Sequence, residues 1–482
     1  MVGLVNRERE VARLSELWER SGPALALIHG RRRVGKTFFL QHFLQGRRSV
    51  YFLAADSTSQ ENLGELLDQV RTVFPERQDA TPDNYPTWRP ALRLLCDLAA
   101  GQAMALVLDE FGYLAKAEPS LPSVIQALWD REAQATQLKL ILCGSELGVM
   151  STLDDYGQPL HGRFDWNRRY EPLDYYDTAR FILALAEEAS ALPYSGRDML
   201  VAYGLYGGAG RYLAAIDARM RLSQNVSAHL LDPDGIFHNE GESLLRQERE
   251  IRDVAAYNAI LAAVAGGATE WGEILNQSHV DRSSFPHYMA SLQQLGWVLA
   301  ESPFEESGKR GLYRLADNLL KSWYRYVFRH RSSLRIWEPA EAWSRLVEPD
   351  LPNYMGSLVF EGVCHEHVKR FSSRYSLPPI MDAGRWWNRR QGIEIDLVAR
   401  LHDGSYLFGE CKWASSPVEI HELSRLRWKV DAISKPKWKL VPRYALFCAG
   451  EFDPLLREVA AREGVLLIGG RELFPDLDLP LD

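Results

Sequence analysis

Ala24-Leu25-Ala26-Leu27-Ile28-His29-Gly30-Arg31-Arg32-Arg33-Val34-Gly35-Lys36-Thr37-Phe38 is the stretch on which the fold turns. Five apolar residues run uninterrupted toward a glycine, the pattern of a parallel strand buried on both faces. Gly30 to Thr37 satisfies G-x-x-x-x-G-K-[ST], and it stands where the chemistry requires, between that strand and the apolar helix Phe38–Leu44. Gly30 and Gly35 let backbone N–H groups approach phosphate oxygens, and the helix N-terminus adds partial positive charge. Lys36 is spaced to reach the β- and γ-phosphates and Thr37 to coordinate magnesium. Arg31, Arg32 and Arg33 suit either phosphate attraction or simple solvation. With Val34 and Phe38 they complete the segment expected to hold ATP.

Apolar runs recur at Ser49–Ala54, Ala103–Leu108 and Leu138–Cys143, separated by helical-period stretches at Glu61–Val73 and Leu121–Ala133. Strands alternating with helices predict a doubly wound α/β domain. The run Met104-Ala105-Leu106-Val107-Leu108-Asp109-Glu110 ends in two acids. Asp109 is expected in the magnesium shell, and Glu110 is expected to polarise the attacking water. Adjacent acids after a strand are weak evidence alone, because helix starts favour them too. Paired with the glycine loop they make a nucleotide-hydrolysing site.

The 482 residues carry 56 Lys+Arg, 64 Asp+Glu and a net charge of −8, with 25% charged and 11% aromatic residues. That composition excludes a disordered or fibrous chain and a uniformly basic coat. The five cysteines, Cys96, Cys143, Cys364, Cys411 and Cys448, form no C-x-x-C pair, so neither a zinc cluster nor a disulfide framework is expected. No apolar run reaches membrane-spanning length and no signal-peptide core is present. A cytoplasmic protein with no membrane partner is the expectation, and a homo-oligomer stays open.

Together these motifs resemble the archaeal-type, AAA+/STAND-related P-loop ATPase family, and the resemblance covers most of the chain. It extends to Leu140-Ile141-Leu142-Cys143-Gly144-Ser145, similar to a sensor strand ending in a polar residue, and to Leu160-His161-Gly162-Arg163 and Glu171-Pro172-Leu173. The resemblance implies that Ser145 contacts the γ-phosphate or the water, and that Arg163 acts as an arginine finger or sensor. An ordinary surface salt bridge is the alternative for Arg163. Gly207-Gly208-Ala209-Gly210-Arg211-Tyr212-Leu213 resembles the family's lid motif, with Gly210 where proline is usual.

The expected organisation is an AAA+-like ATPase core over 1–172, a helical lid over 173–248, a winged helix over 249–337 and a nuclease-like domain over 338–482. Ala256–Ala265, Trp271–Asn276 and Ser283–Gln294 read as three helices, followed by two wing strands at Trp297–Glu301 and Gly311–Leu315. Phe285, Met289, Leu292 and Leu295 form one buried stripe on the third helix. Arg282, His287 and Gln293 lie opposite it, and Arg282 and His287 are the first candidates to reach a DNA groove. From Lys309 to Arg335 eight cations face one acid, Asp317, with Trp323, Tyr324, Tyr326 and Phe328 among them. Arg425 to Arg443 holds seven cations against one acid. The first patch, with its aromatics, suits phosphate and base contacts, although a basic amphipathic helix packed on an acidic neighbour fits as well; the second adds to the cations expected to hold DNA.

Gly392-Ile393-Glu394-Ile395-Asp396-Leu397-Val398-Ala399-Arg400 and Ser405-Tyr406-Leu407-Phe408-Gly409-Glu410-Cys411-Lys412 alternate as two strands joined by His402-Asp403-Gly404. A three-residue loop with Gly404 left-handed sets Asp396 across from Glu410 and Glu394 across from Lys412. A two-residue turn would split the acids between faces. The three-residue register gathers Asp396, Glu410 and Lys412 into a patch suited to magnesium or manganese and phosphodiester cleavage. This arrangement resembles the PD-(D/E)xK restriction-endonuclease-like superfamily, with Glu361 as the upstream helix acid completing the metal ligands. A solvated hairpin face is the alternative. The sequence therefore points to a Mg-dependent ATPase coupled to DNA binding and DNA cleavage. The alternatives are an ATP-gated signalling or scaffold switch, or a DNA-binding regulator, with an inert nuclease-like domain.

Overall fold

The computed structural model describes residues 3–145, 147–248, 251, 253–306, 311–433, 435, 438 and 441–480. The chain forms two compact units. Gly3–Pro172, joined by Ala209–Arg211, is built on five strands: β1 (Ala24–Gly30), β2 (Ser49–Leu53), β3 (Met104–Asp109), β4 (Leu138–Gly144) and β5 (Trp166–Tyr170). Their order is β2-β3-β4-β1-β5, and every pairing is parallel. All seven residues of β1 are buried. The period-two pleat explains this burial. Leu25 and Leu27 enter the core under the helix Ser59–Val73, while Ala24, Ala26 and Ile28 enter the other core with Phe39 and Leu40. The chain leaves β1 toward one edge of the sheet and later returns to its other side as β5. The carboxyl end of β1 is thus a point where strand order reverses, the usual ligand position in open α/β sheets.

The second unit comprises Leu173–Gly208 and Tyr212–Asp482. Three helices, Val254–Ala265, Trp271–Ser278 and Phe285–Gln294, precede an antiparallel pair, β6 (Val298–Glu301) and β7 (Leu312–Leu315). Phe285, Met289, Leu292 and Leu295 are buried, and Arg282, His287 and Gln293 are exposed. Further along, β8 (Ile380–Asn388), β9 (Ile393–Leu401), β10 (Tyr406–Lys412), β11 (Pro442–Cys448) and β12 (Leu466–Ile468) form one mixed sheet in reverse chain order. β8, β9 and β10 pair antiparallel, and β10, β11 and β12 pair parallel.

The segments expected as three separate pieces, 173–248, 249–337 and 338–482, pack together in this unit. Tyr354 donates to the Gly204 carbonyl at 2.7 Å, Lys321 to the Leu358 carbonyl at 2.9 Å, and Arg370 to Asp174 at 2.7 Å.

This packing favours the alternative in which the basic stretch lies against acidic neighbours. Arg314 pairs with Glu301, Arg325 forks onto Asp350, Arg331 meets Glu242 at 2.6 Å, and Lys321 is buried. Trp323, Tyr324 and Tyr326 are core residues. In the second stretch Arg427 pairs with Glu463, Lys429 with Glu410, Lys435 with Glu306 and Arg443 with Asp403. These long cationic side chains neutralise acids that tertiary packing brings to them, which a one-dimensional count of charges cannot reveal. Lys309, Arg310, Lys437 and Lys439 lie outside the described residues. Among the described residues no helix is long and apolar enough to cross a membrane.

Candidate active site

The loop after β1 closes on itself around Lys36, whose Nζ donates to the carbonyls of Gly30 at 2.9 Å and Arg31 at 3.0 Å. Burial lowers the Lys36 pKa, with nearby Asp109 and Glu110 opposing that shift. Gly35, at φ +96°, caps the helix Lys36–Leu44 in a conformation that side chains resist. A Cβ at Gly30 would lie 2.3 Å from the Tyr170 carbonyl oxygen of the neighbouring β5. Val34 is buried with Phe39, so its loop contribution is backbone, whereas Phe38 is exposed. Arg33 holds a positive φ of 75°, and its carbonyl accepts from the Arg211 N–H at 3.2 Å. Arg211 therefore meets the loop through its backbone, one residue into a short helix that starts at Gly210.

Three strand ends deliver the other groups. Thr37 Oγ1 donates to Asp109 Oδ2 at 2.9 Å, joining a hydroxyl and a carboxylate at the end of β3. Tyr51 of β2 donates to the same carboxylate oxygen. Burial first, and Asp109 second, push the Tyr51 phenol well above its usual range. Glu110 sits in the left-handed region at φ 54°, and its carboxylate accepts from Ser145 Oγ at 2.8 Å and Ser145 N at 3.3 Å. Arg32 approaches Glu110 at 3.6 Å and donates to Tyr113 at 3.0 Å. Sparsely populated backbone conformations at Arg33 and Glu110 fall beside the loop, where strain is usually stored for function.

The residue set fits a magnesium nucleotide: an ammonium, a ring of loop N–H groups at a helix start, and hard oxygen donors on Thr37 and Asp109. Arg163 is placed elsewhere. Its guanidinium forks onto Asp130 with two bonds of 2.9 Å and donates to the Pro159 carbonyl at 3.1 Å. Among the described residues no hydrogen bond or ion pair ties it to the loop, so within its own chain Arg163 makes a surface salt bridge. Tyr51 was not expected at the site. Its one signal is a phenol within the apolar part of the strand beside the acidic one.

In the second unit β9 and β10 pair Tyr406 with Arg400 and Gly409 with Leu397, the register of the three-residue His402-Asp403-Gly404 loop, with Gly404 at φ +82°. Extended by one pair, that register sets Asp396 across from Glu410. Asp396 Oδ2 accepts from the Cys411 N–H at 2.8 Å, while burial and then Glu410 raise its pKa to about 6. Glu410 is 3% exposed and holds Lys412 at 3.0 Å and Lys429 at 2.8 and 2.6 Å. Burial opposes the charge of Lys412, yet Glu410 and Glu422 outweigh it and hold its pKa above the ordinary value.

Glu361 does not join a metal-binding triad. Arg385 pairs with it at 2.9 Å while also pairing with Glu394, and burial lifts the Glu361 pKa to about 8 against the pull of Arg385, with nearby Asp396 adding to the rise. Among the described residues no three His, Cys, Asp or Glu side chains gather as a metal-binding group.

The parallel sheet, the loop after β1 and the Thr37–Asp109 contact are the build of a P-loop nucleotide-binding fold carried on a longer chain. Residues 4–216 match a family described as an "ATPase domain predominantly from Archaea", and residues 323–423 match one described as "Archaea bacterial proteins of unknown function". The uncharacterized protein MJECL04 of Methanocaldococcus jannaschii is 28% identical over 416 residues, 85% of this chain and 87% of its own. Among solved structures, the Walker-type ATPase PABY2304 of Pyrococcus abyssi is 22% identical with a TM-score of 0.49, over 67% of this chain and 96% of its own. The Aeropyrum pernix ORC2 protein, in its ADPNP-ADP complexes, is 15% identical with a TM-score of 0.47, over 68% of this chain and 96% of its own.

Proposed function

We propose that the protein hydrolyses ATP with magnesium and uses the nucleotide cycle to control a DNA-binding surface on its second unit. The observation that carries the hydrolytic part is the convergence of three strand ends: Lys36 and Thr37 after β1, Asp109 and Glu110 after β3, and Ser145 after β4. Lys36 would leave the loop carbonyls for the β- and γ-phosphates. Thr37 and Asp109 would hold magnesium, which would supply positive charge to neutralise the phosphates. Glu110, positioned by Ser145, would orient and polarise the attacking water. Lys36→Ala is expected to lower Mg-dependent ATP turnover by about a hundredfold or more, the scale of losing one stabiliser of transition-state charge. Unchanged turnover in that variant would remove the assignment.

DNA binding is supported by three helices followed by an antiparallel pair, the build of a winged helix. Beside them lies a groove of about 1010 Å³ lined by Trp271, Asn276, His279, Arg282, Tyr313 and Arg389. A cytoplasmic setting suits the five free cysteine thiols. DNA cleavage by Asp396, Glu410 and Lys412 is a second reading, favoured by the register that sets Asp396 across from Glu410. Plasmid nicking in magnesium or manganese, lost in Asp396→Ala, is its test.

A further inference from the structure

The helix Ile420–Ala432 presents Glu422 and Lys429, two turns apart and so on one face, toward β10. Glu422 meets Lys412 at 3.2 Å, Lys412 meets Glu410 at 3.0 Å, and Glu410 meets Lys429 at 2.6 Å. The result is a ladder of alternating charge, Glu422, Lys412, Glu410, Lys429, with equal numbers of each sign. Lys429 makes the strongest rung: its Nζ donates to both oxygens of the nearly inaccessible Glu410, and its own side chain is 9% exposed.

We infer that Lys429 is the resident cation of this carboxylate site, so that the site holds no divalent metal and does not cut. Three observations converge on this assignment. Both Glu410 oxygens, one of the two strand acids a metal would need, already accept hydrogen bonds from the Lys429 ammonium. Lys412 lies against one of them as well, so an arriving dication would meet two positive charges at close range. Displacing Lys429 would leave its ammonium buried without a partner, the costly way to break a buried ion pair.

The third expected acid is also committed elsewhere. Arg385 holds Glu361, and it further binds Glu394 and approaches Glu301 at 4.0 Å. Each carboxylate that a nuclease would spend on metal is thus matched to a cation of this chain or, at Asp396, to the Cys411 N–H. The inference bears against the second reading above and leaves the ATPase reading untouched.

The test is manganese binding by the full-length, nucleotide-free protein, followed by the loss of the free-Mn2+ signal in electron paramagnetic resonance. Wild type is expected to show no binding that Glu410→Gln removes. Lys429→Met, and Lys429→Gln as a second variant should the first not fold, are expected to gain one site, lost again when Glu410→Gln is added. Wild-type binding that disappears in Glu410→Gln would overturn the inference. So would silence of folded Lys429 variants, because the lysine would then not be what keeps the metal out. ATP turnover is a separate measurement, so a failed ATPase reading and a failed metal-exclusion reading are told apart.

Discussion

Glu366 shows how one half-buried side chain sets a pH response. It accepts from Tyr203 at 2.9 Å and from the Tyr175 N–H at 3.2 Å, in a cleft that it lines with Lys321 and Glu361. Burial, then Asp174, raises its pKa to about 7 from 4.5. The folded state therefore holds a proton that the unfolded state has released, and the associated stability is lost as pH climbs from 4.5 through about 7. His365 and His367, lowered by burial to about 4 from 6.5, act in the opposite sense, their stability present above 6.5 and lost below it. Above 6.5 the histidines no longer change, and Glu366 still does. Glu361, raised to about 8 by burial, acts in the same sense, so we expect the Tm of the second unit to fall between pH 6.5 and about 8, and Glu366→Gln to lessen that fall by the share of Glu366, about 1 kcal/mol. A thermal scan at two pH values checks it, and equal slopes in both proteins would count against the assignment.

Among the elements, the Gly207-Gly208 turn carries the tightest contact near the start of the second unit. A Cβ at Gly208 would lie 1.8 Å from the Leu173 carbonyl oxygen, and Leu173 N donates to Gly208 O at 2.8 Å. Two backbones cross there with no side chain between them. Gly208→Ala is expected to cost roughly 2–4 kcal/mol, an overpacking penalty with no flexible group to absorb it, and to lower Tm by several degrees. A calorimetric scan with no change in Tm would refute the packing argument. This turn was legible in the sequence as a motif, as were the strands β1 to β4, the phosphate-binding loop and the His402-Asp403-Gly404 register. Each of these is set by local periodicity or by a glycine. The fate of Arg325, Arg331 and Lys429 was not legible, because their partners Asp350, Glu242 and Glu410 are 25, 89 and 19 residues away and only tertiary packing unites them. Nor was the winding of Trp323–Val327, Trp343–Val347 and Met355–Val359, where the helices widen to i+5 hydrogen bonding without a distinctive sequence signal.

At the scale of the whole molecule, the net charge of −8 and the internal pairing of the basic stretches bound how the proposed DNA binding could work. Each phosphate neutralised by a protein cation contributes about −0.9 to the slope of log K against log salt on duplex DNA. A protein using all eight cations of the 309–335 stretch would give a slope near −7 by that rule. Arg325 and Arg331 cannot reach a phosphate without abandoning Asp350 and Glu242, and Lys321 is buried. Arg282, Arg335 and Arg425, by contrast, are exposed with no ion pair among the described residues. Three such contacts give a slope of about −3, shallow for a DNA-binding protein. Affinity would then rest more on shape and on stacking at Trp271 and Tyr313 than on charge. Titrating fluorescent duplex and single-stranded DNA across a salt series, with and without ATP, separates the cases. A slope steeper than about −6 would mean that the paired cations are released on binding, and hence that the second unit rearranges around DNA.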